Sequence, residues 1–184
     1  MSAAPLVAVF GSSTIAPDSP AYLEAFDLGR RLAQAGAGVI TGGYGGAMEA
    51  CSRGAREAGG RVIGVTVELF ERRGPVNRWV EERVHTPDLF ERLRHMISRA
   101  DGFIAVGGSV GTVTEVMLTW TLLSVSARAA APLVLLGRPW RPWLEAHRQP
   151  GFVLPHLFDF VRLAETTEDA VRLALDGAAA RPPG

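Results

Sequence analysis

Gly102-Phe103-Ile104-Ala105-Val106-Gly107-Gly108-Ser109-Val110-Gly111-Thr112 is the stretch whose reading decides the fold. Its first five residues form an apolar run with no polar alternation. Strands of that kind belong to parallel sheets, where helices cover both faces. The glycines that follow make a tight turn, and Thr112 opens an apolar helix that extends to about Ala127. A glycine turn between a strand and a helix lets backbone N–H groups approach an anion. The helix N-terminus adds unpaired donors and a partial positive charge. Ser109 and Thr112 add hydroxyls suited to phosphate oxygens. One such turn is a weak signal, since a turn that binds nothing has the same composition.

The same unit recurs along the chain. Leu6–Phe10 is an apolar strand that stops at Gly11-Ser12-Ser13, and Ser19-Pro20 starts a helix as N-cap and first helical residue. Gly38–Thr41 leads into Gly42-Gly43-Tyr44-Gly45-Gly46, then a helix from Ala47 to Ala58 closed by Gly59-Gly60. Arg61–Val67 is the next strand. Glu68 to Arg83 is a polar stretch, and Thr86-Pro87-Asp88 starts a helix that runs to about Arg99. Pro132–Leu136 is another strand, Trp140–Arg148 a short helix, Phe160–Leu163 an edge strand and Thr166–Leu175 a closing helix. Strands alternating with helices predict an α/β fold, a doubly wound, Rossmann-like parallel sheet with helices on both faces. Ligands bind beyond the carboxyl ends of strands in such sheets. That rule selects the turns Gly11–Ser13, Gly42–Gly46 and Gly107–Gly111, and three turns on one edge outweigh the bland reading of each.

Composition narrows the function. The 184 residues suit one domain, here residues 1–177, followed by a tail at 178–184. Hydrophobic residues at 47% and charged residues at 21% argue for a globular chain. The formal net charge is zero, which argues against a nucleic-acid polymer as partner. No apolar run has the length of a membrane span or the layout of a signal peptide, so a cytoplasmic protein is expected. Cys51 is the single cysteine and reads as a small buried residue. His85, His95, His147 and His156 lack metal-ligand spacing, so no metal is expected. The chain contains no lysine, all 19 basic residues being arginine, which rules out a Schiff base with a lysine side chain. Neither Gly-x-Gly-x-x-Gly after the first strand nor Gly-Lys-Ser/Thr is present, so no dinucleotide cofactor and no ATP hydrolysis are called for. A mononucleotide fits better.

Two charged residues flank the decisive turn. Glu115 lies three positions after Thr112, so it is either a reactive carboxylate or the second half of a Thr-x-x-Glu capping box. Arg92 lies in the preceding helix, where a solvated face is the plain alternative. Trp120 shares helical spacing with Val113, Val116 and Met117 and reads as core or subunit packing. Trp79 is the better candidate for stacking on a base. Arg72, Arg73 and Arg78 are either a cationic rim for an anionic ligand or a solvated loop.

Gly107–Glu115, Glu91-Arg92-Leu93-Arg94-His95-Met96, Phe10–Ser13, Gly42–Met48 and Gly59–Val65 together resemble the LOG ("lonely guy") family, once described as lysine decarboxylases, over most of Val7–Gly137. The resemblance implies a phosphoribohydrolase that cleaves the N-glycosidic bond of AMP or a cytokinin riboside 5′-monophosphate, with no cofactor, acting as a homodimer or larger homo-oligomer. It implies that Arg92 and Glu115 are catalytic. It places phosphate and nucleotide binding on Gly108, Ser109, Val110, Gly111 and Thr112, with Gly11, Ser12, Ser13, Gly42, Gly43, Gly46 and Met48 alongside. The chain departs from the family pattern at Gly107 (proline in the family), Ser109 (glycine) and Leu93 (lysine). The same superfamily holds molybdenum-cofactor carriers, so a non-catalytic nucleotide or cofactor carrier is the alternative. DNA-processing proteins of similar fold are a third reading, disfavoured by the zero charge.

Overall fold

The computed structural model describes residues 4–72, 74–126, 131–149 and 151–176. The 178–184 tail, Arg73 and the expected helix end at Ala127 lie outside them. Seven parallel strands form one sheet: β1 Leu6–Phe10, β2 Gly38–Thr41, β3 Val62–Val67, β4 Glu82–Thr86, β5 Gly102–Ala105, β6 Leu133–Leu136 and β7 Val161–Ala164. Their order is β4-β3-β2-β1-β5-β6-β7, and every pairing is parallel. The helices are α1 Pro20–Gln34, α2 Ala47–Glu57, α3 Glu68–Glu71, α4 Leu89–Arg99, α5 Val110–Ser124, α6 Trp140–Ala146 and α7 Thr167–Leu175, with a 3-10 turn at Pro155–Phe160. The α/β doubly wound expectation therefore holds.

The period of two along each strand divides the core. Val7, Val9, Val39, Ile104, Val106 and Val134 face one side, where they pack with α1, α2 and α7. Leu6, Ala8, Phe10, Ile40, Phe103, Ala105 and Leu133 face the other, with α4, α5 and α6. Both faces are dry, which explains why these strands carry no polar alternation. Cys51 is fully buried, and burial pushes its thiol up to about 12.

The polar stretch Glu68–Arg83 departs from the expectation of a loop. It contains α3 and runs into β4, an edge strand whose residues alternate between partly buried and exposed up to Thr86. Arg61 and Arg99 bridge Glu82 at its start, and Arg83 pairs with Glu71. An edge strand with one wet face keeps charged residues that discourage pairing with other chains. That same polarity conceals it in the sequence.

Helices α1 and α2 touch backbone to backbone. A Cβ on Gly29 would stand 2.0 Å from the Cys51 carbonyl oxygen, and one on Gly54 would stand 2.0 Å from the Phe26 carbonyl oxygen. Neither neighbour can rotate away, because both are main chain. Gly29→Ala and Gly54→Ala are each expected to lower the free energy of unfolding by about 1–3 kcal/mol, the usual range for overpacking. Urea denaturation would check this, and a loss within experimental error for both would contradict the close crossing.

Candidate functional site

The sheet grows outward from β1 through β2 and β3 to β4, then returns to the other side of β1 for β5. The reversal between β1 and β5 is the switch point at which open α/β sheets bind ligands. Because β2, β1 and β5 are adjacent, their C-terminal turns converge. The Ala47 N–H donates to the Ser12 carbonyl oxygen at 2.8 Å, which joins the first two turns. Gly46 allows this approach at φ +66, where a Cβ would stand 2.4 Å from that same Ser12 oxygen. The Val106 N–H donates to the Phe10 carbonyl at 2.9 Å and joins the third turn to the first. Ser12 is buried and its Oγ shares a 2.9 Å hydrogen bond with Thr14 Oγ1, whereas Ser13 is exposed.

The turn after β5 opens toward solvent: Gly108, Ser109, Val110 and Gly111 are exposed. Helix α5 starts at Val110, two residues before the expected Thr112, with Ser109 as N-cap. The Ser109 side chain makes no capping bond. The N–H groups of Val110, Gly111 and Thr112 therefore occupy the first turn, where a helix offers unpaired donors. Thr112 is 2% exposed, and among the described residues its Oγ1 has no hydrogen-bond partner. Buried hydroxyls are rarely left unpaired, so this one marks a place where the protein holds a donor in reserve.

The helix start also removes the capping-box reading of Glu115. Thr112 is already the third helical residue, and Glu115 lies a turn further in, beside Arg92. Arg92 Nη1 and Glu115 Oε1 are 3.7 Å apart, with side chains 6% and 13% exposed. The solvated-face reading of Arg92 fails equally, since the residue is 5% exposed. Its Nε donates to the Val65 carbonyl at 2.9 Å. A Cβ on Gly42 would stand 1.8 Å from Arg92 Nη2 and 2.6 Å from Met48 Sδ, so Gly42, Met48 and Arg92 crowd one spot. The Phe70 ring lies 5.6 Å from the Arg92 Cζ.

Burial dominates both ionisations. It pushes the Glu115 carboxyl up to about 7 against the pull of Arg92. Burial likewise lowers the Arg92 pKa, with Glu115 and Tyr44 opposing. At 3.7 Å the pair lies beyond hydrogen-bond range and is too loose to offset the desolvation of the carboxylate. The arrangement is a carboxyl poised near neutrality next to a fixed cation, under a turn rich in N–H donors. Such a group can exchange a proton or face a developing positive charge.

Other expected residues fall elsewhere. Trp79 sits with Arg78, 4.7 Å from its ring, and Arg53, 5.9 Å away. Trp79 is thus flanked by two guanidiniums, one from its own segment and one from α2, and its backbone N–H donates to the Asn77 side chain at 3.1 Å. Trp120 is 4% exposed, donates to the Leu157 carbonyl at 2.7 Å and packs edge-on against Phe158, as its helical spacing indicates. Sequence reasoning missed Tyr44 and Phe70. Tyr44 stood within a quoted glycine turn, but Phe70 lay in a polar stretch that gave no signal.

The sequence profile of the SLOG cluster4 family matches residues 4–125. A cytokinin riboside 5′-monophosphate phosphoribohydrolase of Mycobacterium tuberculosis is 30% identical over 165 residues, which cover 84% of this chain and 87% of that protein. Among solved structures, the molybdenum cofactor binding protein of Rippkaea orientalis superposes with a TM-score of 0.73 at 25% identity, covering 93% of this chain and 95% of that one. The molybdenum cofactor carrier protein of Chlamydomonas reinhardtii gives a TM-score of 0.72 at 26% identity, covering 96% and 99%.

The raised Glu115 pKa has a measurable consequence. Between its ordinary 4.5 and about 7 the folded chain keeps a proton that the unfolded chain has released. The stability it contributes is complete below pH 4.5 and lost as the pH rises to about 7. Glu115→Gln does not titrate, so it is expected to gain on wild type across this interval by on the order of a few kcal/mol. Urea unfolding at several pH values would measure the difference, and a pH-independent difference would contradict the burial of an ionisable Glu115.

Proposed function

The chain belongs to the SLOG cluster4 family, and on that premise we propose that it hydrolyses nucleoside 5′-monophosphates to a free base and ribose 5-phosphate, with AMP or a cytokinin riboside 5′-monophosphate as substrate. The observation that carries this reading is the buried Arg92–Glu115 pair under the Gly107–Thr112 turn. The 5′-phosphate docks on the first-turn N–H groups of α5, with the Ser109 hydroxyl at its edge and the Thr112 hydroxyl beneath. The turns Gly11–Ser13 and Gly42–Gly46, with Met48 behind Gly42, form the neighbouring wall for the nucleoside. Anchoring the phosphate fixes the ribose against Glu115 and converts binding into positioning.

Cleavage of the glycosidic bond sends its electron pair to the leaving base and builds positive charge on the ribose. The Glu115 carboxylate faces that charge and accepts the proton of the attacking water, whose oxygen joins the anomeric carbon; that proton then passes to the departing base, which yields the neutral free base and regenerates the carboxylate. Arg92 keeps the carboxylate in place and stabilises its charged form. Relatives named as cytokinin riboside 5′-monophosphate phosphoribohydrolases support this reading. No step needs a cofactor.

A second reading is a carrier that binds a phosphorylated ligand without cleaving it. The molybdenum cofactor binding and carrier proteins among the structural neighbours favour it. The two readings agree on the phosphate turn and differ on whether Glu115 reacts. We further propose a homodimer formed through α5. This helix is apolar on nearly all sides, with Val110 at 81% exposure, Met117, Leu118 and Leu122 partly covered, and the C-cap Val125 at 64% exposure. Light scattering at micromolar concentration should return twice the chain mass, and Leu122→Glu should return the monomer. A wild-type monomer would contradict the dimer.

Free base released from AMP and from an N6-substituted adenosine monophosphate, followed by chromatography, tests the function. Wild type is expected to release base, with kcat rising with pH up to about 7 as Glu115 ionises. Glu115→Gln is expected to lose at least about a hundredfold in kcat, as for removal of a positioned acid–base group. Bound nucleotide without release would favour the carrier.

A further inference from the structure

The segment between β3 and β4 is strapped across the site at two points. Tyr44, inside the Gly42–Gly46 turn, donates its hydroxyl to the Val67 carbonyl at 2.8 Å and accepts from the Val67 N–H at 3.0 Å. Val67 is the residue that leads into α3. At the far side, the Asn77 N–H donates to the Gly43 carbonyl at 2.9 Å, and its side-chain amide donates to the Tyr44 carbonyl at 3.0 Å. Both anchors lie on the glycine turn that touches Arg92.

Between them, α3 carries Phe70. Its ring meets Tyr44 edge-on, with centroids 6.0 Å apart, and stands 5.6 Å from the Arg92 Cζ. A guanidinium within about 6 Å of a ring is attracted to its π-electrons, more strongly where water is excluded. The remaining constraints on this guanidinium are few. Among the described residues, one side-chain hydrogen bond holds Nε to Val65, Gly42 and Met48 close one side, and the Glu115 contact is 3.7 Å long. A long, rotamer-rich side chain held by one hydrogen bond depends on its walls to keep a single geometry.

We propose that Phe70 is a positioning residue of the site, held in place by Tyr44 and Asn77, and that it acts by fixing the Arg92 guanidinium against Glu115. The proposal rests on the reading of Arg92 and Glu115 as the reactive pair. It assigns a role to the α3 segment that its polar sequence does not suggest. Loss of the ring frees the guanidinium, and small misplacements in a reactive pair reduce rate more than binding.

The test is a double-mutant cycle between Phe70→Ala and Arg92→Gln, read on kcat and KM for AMP hydrolysis and on AMP affinity by calorimetry. Phe70→Ala should lower kcat about tenfold with KM within about twofold, as for a misplaced catalytic group. Phe70→Tyr should restore the rate. In the Arg92→Gln background Phe70→Ala should have no further effect, since the two residues act as one unit. A wall that merely supports the fold would lower both backgrounds equally, and that result, or an unchanged kcat in a folded Phe70→Ala, overturns the proposal. Should Phe70→Ala fail to fold, Tyr44→Phe removes only the anchoring hydroxyl and should lower kcat in the same Arg92-dependent way. If wild type binds AMP without hydrolysing it, the hydrolase reading fails alone. The cycle is then read on affinity, where additive effects overturn the role of Phe70. A wild type that neither binds nor hydrolyses AMP or an N6-substituted adenosine monophosphate overturns both.

Discussion

An arginine at 5% exposure has to be held by something other than water, and the way Arg92 is held organises this molecule. A buried guanidinium is tolerated only when hydrogen bonds and an opposite charge surround it. Here the carbonyl of Val65 takes one N–H, and Glu115 supplies the charge. For the side chain to lie flat against the sheet edge, the turn after β2 must present no Cβ, which makes residue 42 a glycine. The order β3-β2-β1 places Val65 and Gly42 side by side, and the reversal at β1 brings the start of α5 opposite. One ion pair thus links β3, the turn after β2, α4 and α5, elements far apart in sequence.

The same constraint separates scaffold from chemistry. On the proposed reading, the glycine turn at the head of α5 attracts a phosphate whether or not anything reacts, because its donors are backbone groups. Solved structures named for molybdenum cofactor binding share this scaffold at 25–26% identity. The carboxylate behind the turn is what a hydrolase requires in addition. Its burial raises its affinity for a proton, and the neighbouring cation limits that rise. If the turn binds a phosphate as proposed, function in this architecture is decided by what stands beneath that site rather than by the site itself.

The readability of the chain follows from burial. Strands β1, β2, β3, β5 and β6 are covered on both faces, so their sequences are apolar runs, broken only by the buried Thr41 and Thr66, and are recognisable without a structure. Strand β4 is an edge with one wet face, and Glu82, Arg83 and His85 hide it among loop residues. The glycine turns were legible because strand–glycine–helix is a local pattern. Glu115 is marked by its offset from that pattern and Arg92 only by the resemblance, but their contact is a product of sheet order and has no local signature. The helix start shows the limit most clearly. Thr112-x-x-Glu115 spells a capping box, yet the backbone enters the helix at Val110, so the pattern falls inside it. Phe70 was invisible because an aromatic between charged residues in an irregular segment has no period to betray the face it covers.

The central claim is that Glu115 is an ionisable carboxyl held out of water against Arg92. The most direct measurement is its own titration, followed by the carboxyl carbon resonance in 13C-labelled protein and identified by its absence in Glu115→Gln. A midpoint near 7 is expected. A midpoint at the ordinary value near 4.5 would mean that water reaches the carboxylate freely and that the buried pair does not exist in solution.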